Sequence, residues 1–230
     1  LLAAAQGAAV VANDLGGGPD GEGASQGPAH DVVAEIQAAG GRAGVCVTGE
    51  GVALAVVEPA RSGPPVLRHC EFRACAPDAV AHCLARMFDE LGLGRTPTSA
   101  VLPSSGYQLV LVEAPDVLPA ELKAAIRWRV KDMIDFGIED AVIDVFEPPA
   151  PSRRQQQHLM YAIAARRAVV QRTVDVMAPA AKGFDVIDVP ELCLRNIAAL
   201  LPADEQGLAL LFRHGSTAEL ILTRAGKLYF

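Results

Sequence analysis

Five histidine and cysteine side chains crowd between positions 69 and 83, residues whose nitrogen and sulfur could ligate a metal: His69, Cys70, Cys75, His82 and Cys83. A zinc site draws thiolates and imidazoles from paired knuckles such as Cys-x2-Cys, and the spacing HC-x4-C-x6-HC lacks them. The alternative is structural. Cys70 falls in a strand expected over 66–73, and Cys83 in a helix expected over 78–91, where Val80, Leu84, Met87, Phe88 and Leu91 make a core stripe with it. A thiol in such a stripe behaves as a small apolar residue. Cys46 and Cys193 read as buried thiols of a reducing compartment. No metal is expected.

The only tryptophan lies in AELKAAIRWRVKDMIDFGIEDAVIDVFEPP, residues 120–149, which joins an amphipathic helix to an alternating strand. Leu122, Ile126 and Val130 recur at four-residue spacing, Met133 and Ile134 extend the stripe, and Lys123, Arg127, Arg129, Lys131 and Asp132 take the other faces. Nothing in it looks catalytic. Phe136 and Gly137 stop the helix, and Pro148 and Pro149 end the strand that follows. The rest of the chain alternates α and β. Strands are expected over 44–54, 53–58, 66–73, 99–102, 107–113, 141–146, 158–164, 185–188, 208–212 and 218–223. Helices are expected over 78–91, 119–134, 166–181 and 190–200, with Pro190 suited to a first turn. The loop 147–157 is rich in proline, arginine and glutamine and reads as a hinge or tip between two lobes.

Composition bounds the function. With 230 residues, 51% of them hydrophobic and 20% charged, the chain can bury a sizeable core. No stretch approaches the roughly 18 apolar residues of a membrane-spanning helix. A net charge of −7 without a basic run argues against a nucleic-acid surface. Much of the acidity lies in residues 1–43, which hold five acids and one arginine.

Those first residues form a unit of their own. A short apolar strand is expected over 8–12, Asp14 and a glycine-rich loop follow, and a helix over 28–39 is closed by Gly40 and Gly41. This run resembles the second strand and helix of the short-chain dehydrogenases, near the hydroxyacyl-CoA dehydrogenase modules of multifunctional enzymes. The resemblance implies that Asp14 would bond the adenosine ribose of NAD. The G-x-G-x-x-G turn lies about 20 residues before such an acid, upstream of Leu1. Tyr-x-x-x-Lys is also missing, since Tyr107 is followed by Leu111 and Tyr161 by Ala165. Residues 1–43 therefore read as an orphan Rossmann-type fragment of a chimeric sequence, joined at GGRA/GVCV. Half such a unit cannot bury its own faces, which weighs against the alternative, a genuine fusion carrying a dehydrogenase fragment.

From about Ala43 to Phe230 the order of motifs resembles the actin-like cytoplasmic proteins of type IV pilus and type II secretion systems. The PilM-like proteins and the MshI-like biogenesis proteins of the MSHA pilus belong to this group. The runs that carry the resemblance are 121–146, HLMYAIAARRAVVQRTVDVM (158–177), GFDVIDVPELCLRNIAAL (183–200) and GLALLFRHGSTAELILTRAGKLYF (207–230). The resemblance implies an actin-like ATPase (ribonuclease H-like) α/β fold, with a first lobe and inserted subdomain over 44–149. A second lobe begins at 150 and is expected to be incomplete at Phe230.

An actin-like ATPase cradles phosphates between two hairpins whose glycine amides bind phosphate and whose acids organise Mg2+. The matching loops here are Thr48, Gly49, Glu50 and Gly51, and Gly215, Ser216 and Thr217. Cys46 stands where the first acid belongs, Phe212 and Arg213 stand near the second, and Glu50 puts a carboxylate where phosphate would lie. The expectation is a pseudo-ATPase scaffold that is no enzyme and needs no cofactor, with passive ATP binding left open. The implied partner is the cytoplasmic tail of a PilN-like bitopic inner-membrane protein of the pilus assembly platform. The implied place is the cytoplasm, peripheral at the inner membrane's inner face. Trp128, Met133, Phe136 and Ile138 are the candidate partner surface, and the competing reading makes Trp128 and Phe136 ordinary core.

Overall fold

The computed structural model describes residues 41–60, 63–149, 159–214 and 217–230. Residues 1–40, with Asp14 among them, most of the loop 147–157, and Gly215 and Ser216 lie outside the described residues.

Three strands open the fold as an antiparallel meander: β1 (Arg42–Thr48), β2 (Gly51–Glu58) and β3 (Val66–Ala74). β1 begins two residues before the expected start, so Arg42 and Ala43 belong to the sheet. β4 (Thr98–Val101) lies parallel to β1, and β8 (Phe184–Asp188) lies parallel to β4, giving the order β3-β2-β1-β4-β8. Both parallel crossovers carry helices. α1 (Val80–Leu91) links β3 to β4, and α3 (Arg167–Met177) precedes β8. Leu84, Met87 and Phe88 of α1 and Met177 of α3 bury against Val45, Val52, Leu54 and Ala100 of the sheet. Each such burial is worth about 2 kcal/mol. Leu91, expected in that stripe, is instead 38% exposed, because α1 ends there at a left-handed Gly92.

Between β4 and α3 the chain inserts a second layer: β5 (Tyr107–Glu113), α2 (Pro119–Val130), β6 (Ala141–Phe146) and β7 (Leu159–Arg166). The strand order is β5-β7-β6, all antiparallel. β7 sits between the other two, so the expected division at residue 150 cuts through a sheet and does not hold. The first sheet likewise continues to β8. Leu122, Ile126 and Val130 close one face of the insert against Val112, Val145, Met160 and Ala162.

α2 stops at Val130, short of the expected residue 134. Asp135 draws the next turn away from the helix axis, its N–H donating to Gln108 Oε1 at 2.9 Å and its carboxylate accepting from Arg166 at 2.8 Å. These long-range bonds override an apolar period that would have continued through Met133 and Ile134.

The last elements are α4 (Pro190–Ala198), β9 (Leu208–His214), β10 (Thr217–Arg224) and β11 (Lys227–Leu228), with sheet order β11-β10-β9. The free face of the inserted sheet, with Tyr107, Phe146, Tyr161 and Ile163, packs against Leu192, Leu194, Ile221 and Leu228 of this unit. The β10–β11 turn places Ala225 and Gly226 at positive φ. The buried Asp204 pins this turn, accepting from Thr223 Oγ1 and the Gly226 N–H.

Candidate functional site

The first candidate region is the β1–β2 turn. Thr48 pairs with Gly51, leaving a two-residue loop of Gly49 and Glu50. The Thr48 hydroxyl donates to Gly51 O and accepts from the Glu50 N–H, both at 3.2 Å, so its hydrogen bonds close within the turn. Gly51 has φ 155°, and a Cβ there would stand 2.2 Å from Arg73 O. That glycine is required by the approach of β3. Gly49 faces open space. Cys46 is half-buried rather than buried, and burial raises its thiol pKa, with Glu219 adding to the shift.

Glu219 belongs to β10. His214 pairs with Thr217 across the second turn, whose Gly215 and Ser216 are not described. Ser104, in the turn between β4 and β5, donates to Glu219 Oε1 at 2.7 Å and so joins that turn to β10. Beneath them lies a buried polar layer that the sequence reading missed. Tyr107 Oη donates to Glu191 Oε2 at 2.5 Å. Burial raises both groups' pKa values above their ordinary range. Asp188 accepts from the Val189 N–H at 2.8 Å, and burial raises its carboxyl and drives the Cys193 thiol well up. The signal in the sequence was D-V-P-E, an acid in the first turn of a helix that Pro190 starts. This layer turns its carboxylates toward protein donors, the Tyr107 hydroxyl and the Val189 N–H.

The second candidate region divides in two. Trp128 is 75% exposed on α2, with Lys131 Nζ 5.8 Å from its ring, and Met133 is 49% exposed just beyond. The reading of Trp128 as ordinary core is therefore overturned: it lies two residues beyond Ile126, which turns it away from the stripe. Phe136 is half-buried under the Arg166 guanidinium at 4.3 Å, and Ile138 packs against the core of the insert. Phe136 and Arg166 also line a cleft of about 210 Å³ with Ser104, Tyr107 and Gln108.

Among the described residues no group of three or more His, Cys, Asp or Glu side chains is placed to hold a metal ion. His69 pairs with Glu71 at 3.1 Å, and Cys70 and His82 are exposed. Among the same residues no helix is long and apolar enough to cross a membrane.

No protein-family model matches the chain, and a search of curated proteins gives no match. Solved structures do match. The fold is similar to the PilM-PilN type IV pilus biogenesis complex, at TM-score 0.61 and 23% identity over 82% of this chain. It is also similar to the cytoplasmic domain of EpsL, an inner-membrane component of the type II secretion system of Vibrio cholerae. That likeness has TM-score 0.54 and 14% identity over 82% of this chain and 69% of that one. The chain spans 60% of the length of the PilM-PilN match. A weaker likeness, TM-score 0.47 at 5% identity, covers 83% of this chain and 68% of a Bacteroides thetaiotaomicron protein with an actin-like ATPase fold. The chain has an actin-like α/β fold.

Proposed function

We propose that this chain is a non-catalytic scaffold of a type IV pilus assembly or type II secretion platform. In this reading it works at the cytoplasmic face of the inner membrane and holds the cytoplasmic tail of a PilN-like bitopic protein; the MSHA-type pilus is the specific setting. The observation that carries the proposal is the fold likeness, over 82% of the chain, to a complex whose printed name pairs PilM with PilN. The second likeness, to a cytoplasmic domain of a secretion component, points to the same kind of machine.

Two features of the residues support the non-catalytic part. Cys46 occupies the strand position where a metal-organising acid is expected, and the Thr48 hydroxyl is engaged inside its own turn. Trp128 and Met133 supply exposed aromatic and thioether surface of the kind enriched at protein interfaces.

Co-purification tests the proposal. The tagged chain, mixed with the detergent-solubilised PilN-like protein of the same organism, is expected to retain it. The same protein with its cytoplasmic tail deleted is expected to pass through. Equal retention of both, or of neither, contradicts the reading.

A further inference from the structure

β3 is the outer strand of the five-stranded sheet, and among the described residues it pairs only with β2. Alternate N–H and C=O groups along its other side face away from the sheet, and an extended strand is what matches such a row. The register with β2 shifts at Val56 and Val57, so the regular part of β3 runs from His69 to Ala74. Within it the side chains alternate. Glu71 and Arg73 are half-buried on the side of α1, where Arg73 bonds Glu71 at 2.7 Å and Glu90 at 2.8 Å. Cys70, Phe72 and Ala74 are exposed on the other side, with Phe72 50% exposed. An aromatic ring on an open edge invites a second strand.

We infer that β3 is a self-association edge, pairing antiparallel with β3 of a second copy of this chain across a two-fold axis at Phe72. Self-complementarity selects both the occupant and the register. In an antiparallel pair opposite residues lie on the same face, so the two-fold must set one residue opposite its own copy. Centred on Phe72, the pairing sets the two Phe72 rings side by side, Glu71 of each copy opposite Arg73 of the other, and Cys70 opposite Ala74. Two ion pairs then flank one aromatic pair. Centred on Glu71, it would set two carboxylates against each other and His69 against Arg73, and like charges directly opposite destabilise a sheet. Centred on Cys70, it would pair His69 with Glu71 but set Leu67 against Arg73 and run into the irregular stretch before His69.

The paired stretch is short, Cys70 to Ala74 in each copy, so the interface belongs to the small, weak and reversible class. β8, at the opposite edge of the sheet, offers no such match: it spans only Phe184–Asp188, and its Asp185 is already held by Arg42. Trp128, Met133, Phe136 and Ile138 take no part. Self-association and tail binding are therefore separate properties of the chain.

The test is sedimentation velocity of the intact chain over rising concentration. Wild type is expected to shift reversibly from monomer to dimer. Phe72→Lys and Phe72→Glu, exposed substitutions that set like charges at the axis, are each expected to stay monomeric. Mixed together they are expected to form a dimer, since opposite charges then meet. Cross-linking reads the register, because Cys70 of one copy lies opposite Ala74 of the other and roughly 13 Å along the strand from the other Cys70, beyond the reach of a disulfide. Mild oxidation of Ala74→Cys is expected to give a covalent dimer joined from position 70 to position 74, and wild type is expected to give none through Cys70. A wild-type chain that stays monomeric, a dimer that Phe72→Lys leaves intact, or a covalent dimer joined through Cys70 of both copies overturns the proposal.

Discussion

The Arg42 guanidinium crosses β4 to reach Asp185, with Nη2 to Oδ1 at 2.8 Å and Nε donating to Ser99 Oγ at 3.2 Å on the way. One side chain thus ties β1, β4 and β8 together. Its Nη1 has no partner among the described residues, and the residue is 2% exposed. Burial lowers the pKa of Arg42, and it raises the carboxyl of Asp185 even with the arginine beside it.

Removing one partner of this pair leaves a buried charge without compensation. Asp185→Asn is expected to lower stability by about 2 kcal/mol in urea unfolding, less than a fully buried pair would lose, because Asp185 is 42% exposed and screened. Arg42→Met, which removes the buried charge altogether, is expected to cost less than Asp185→Asn. The reverse order would show that the arginine acts through packing.

Glu191 gives a signed pH dependence. Burial raises its folded pKa above the ordinary value of 4.5, against the hydrogen bond from Tyr107. The folded chain therefore holds that proton more tightly than the unfolded chain. The resulting stability is complete below about 4.5 and is lost as pH rises through the raised folded value. Wild-type stability is expected to increase on acidification toward that window more steeply than that of Glu191→Gln, which keeps an acceptor for Tyr107. Parallel urea midpoints for the two proteins across the window would contradict this.

The glycines of the β1–β2 turn are not equivalent. Gly51→Ala places a Cβ 2.2 Å from Arg73 O at φ 155° and is expected to destabilise by roughly 3 kcal/mol. Gly49→Ala meets nothing within 4 Å. It is expected to stay within about 0.5 kcal/mol of wild type. Thermal unfolding of both variants separates a structural glycine from an open one.

Much of this fold was legible in the sequence for local reasons. Pro148 and Pro149 bounded the end of β6, and Pro190 marked the start of α4. What escaped was long-range. The proline-rich loop at 147–157 looked like a lobe boundary, yet β7 returns to pair with both β5 and β6, and no local signal records that pairing. The end of α2 was misplaced for the same reason, since Gln108 and Arg166 lie far from Asp135 in sequence. Trp128 was different, because its offset from Leu122, Ile126 and Val130 already placed it off the buried stripe. The Tyr107–Glu191 bond joins residues 84 apart and had only the acid after Pro190 as a clue.

The non-catalytic role proposed above predicts silence toward nucleotide. Calorimetric titration of the chain with Mg-ATP is expected to give no saturable heat and no phosphate release. Saturation near one site with turnover would contradict the account of Cys46 and Thr48.

The most direct test uses the single tryptophan as a reporter. Emission from Trp128 is followed while a synthetic peptide of the PilN-like partner's cytoplasmic tail is titrated into the chain. The account predicts a saturable blue shift as the exposed indole is covered, and at least about tenfold weaker binding by Trp128→Ala when the peptide itself carries the fluorophore. No binding of the tail by either readout would contradict the scaffold role.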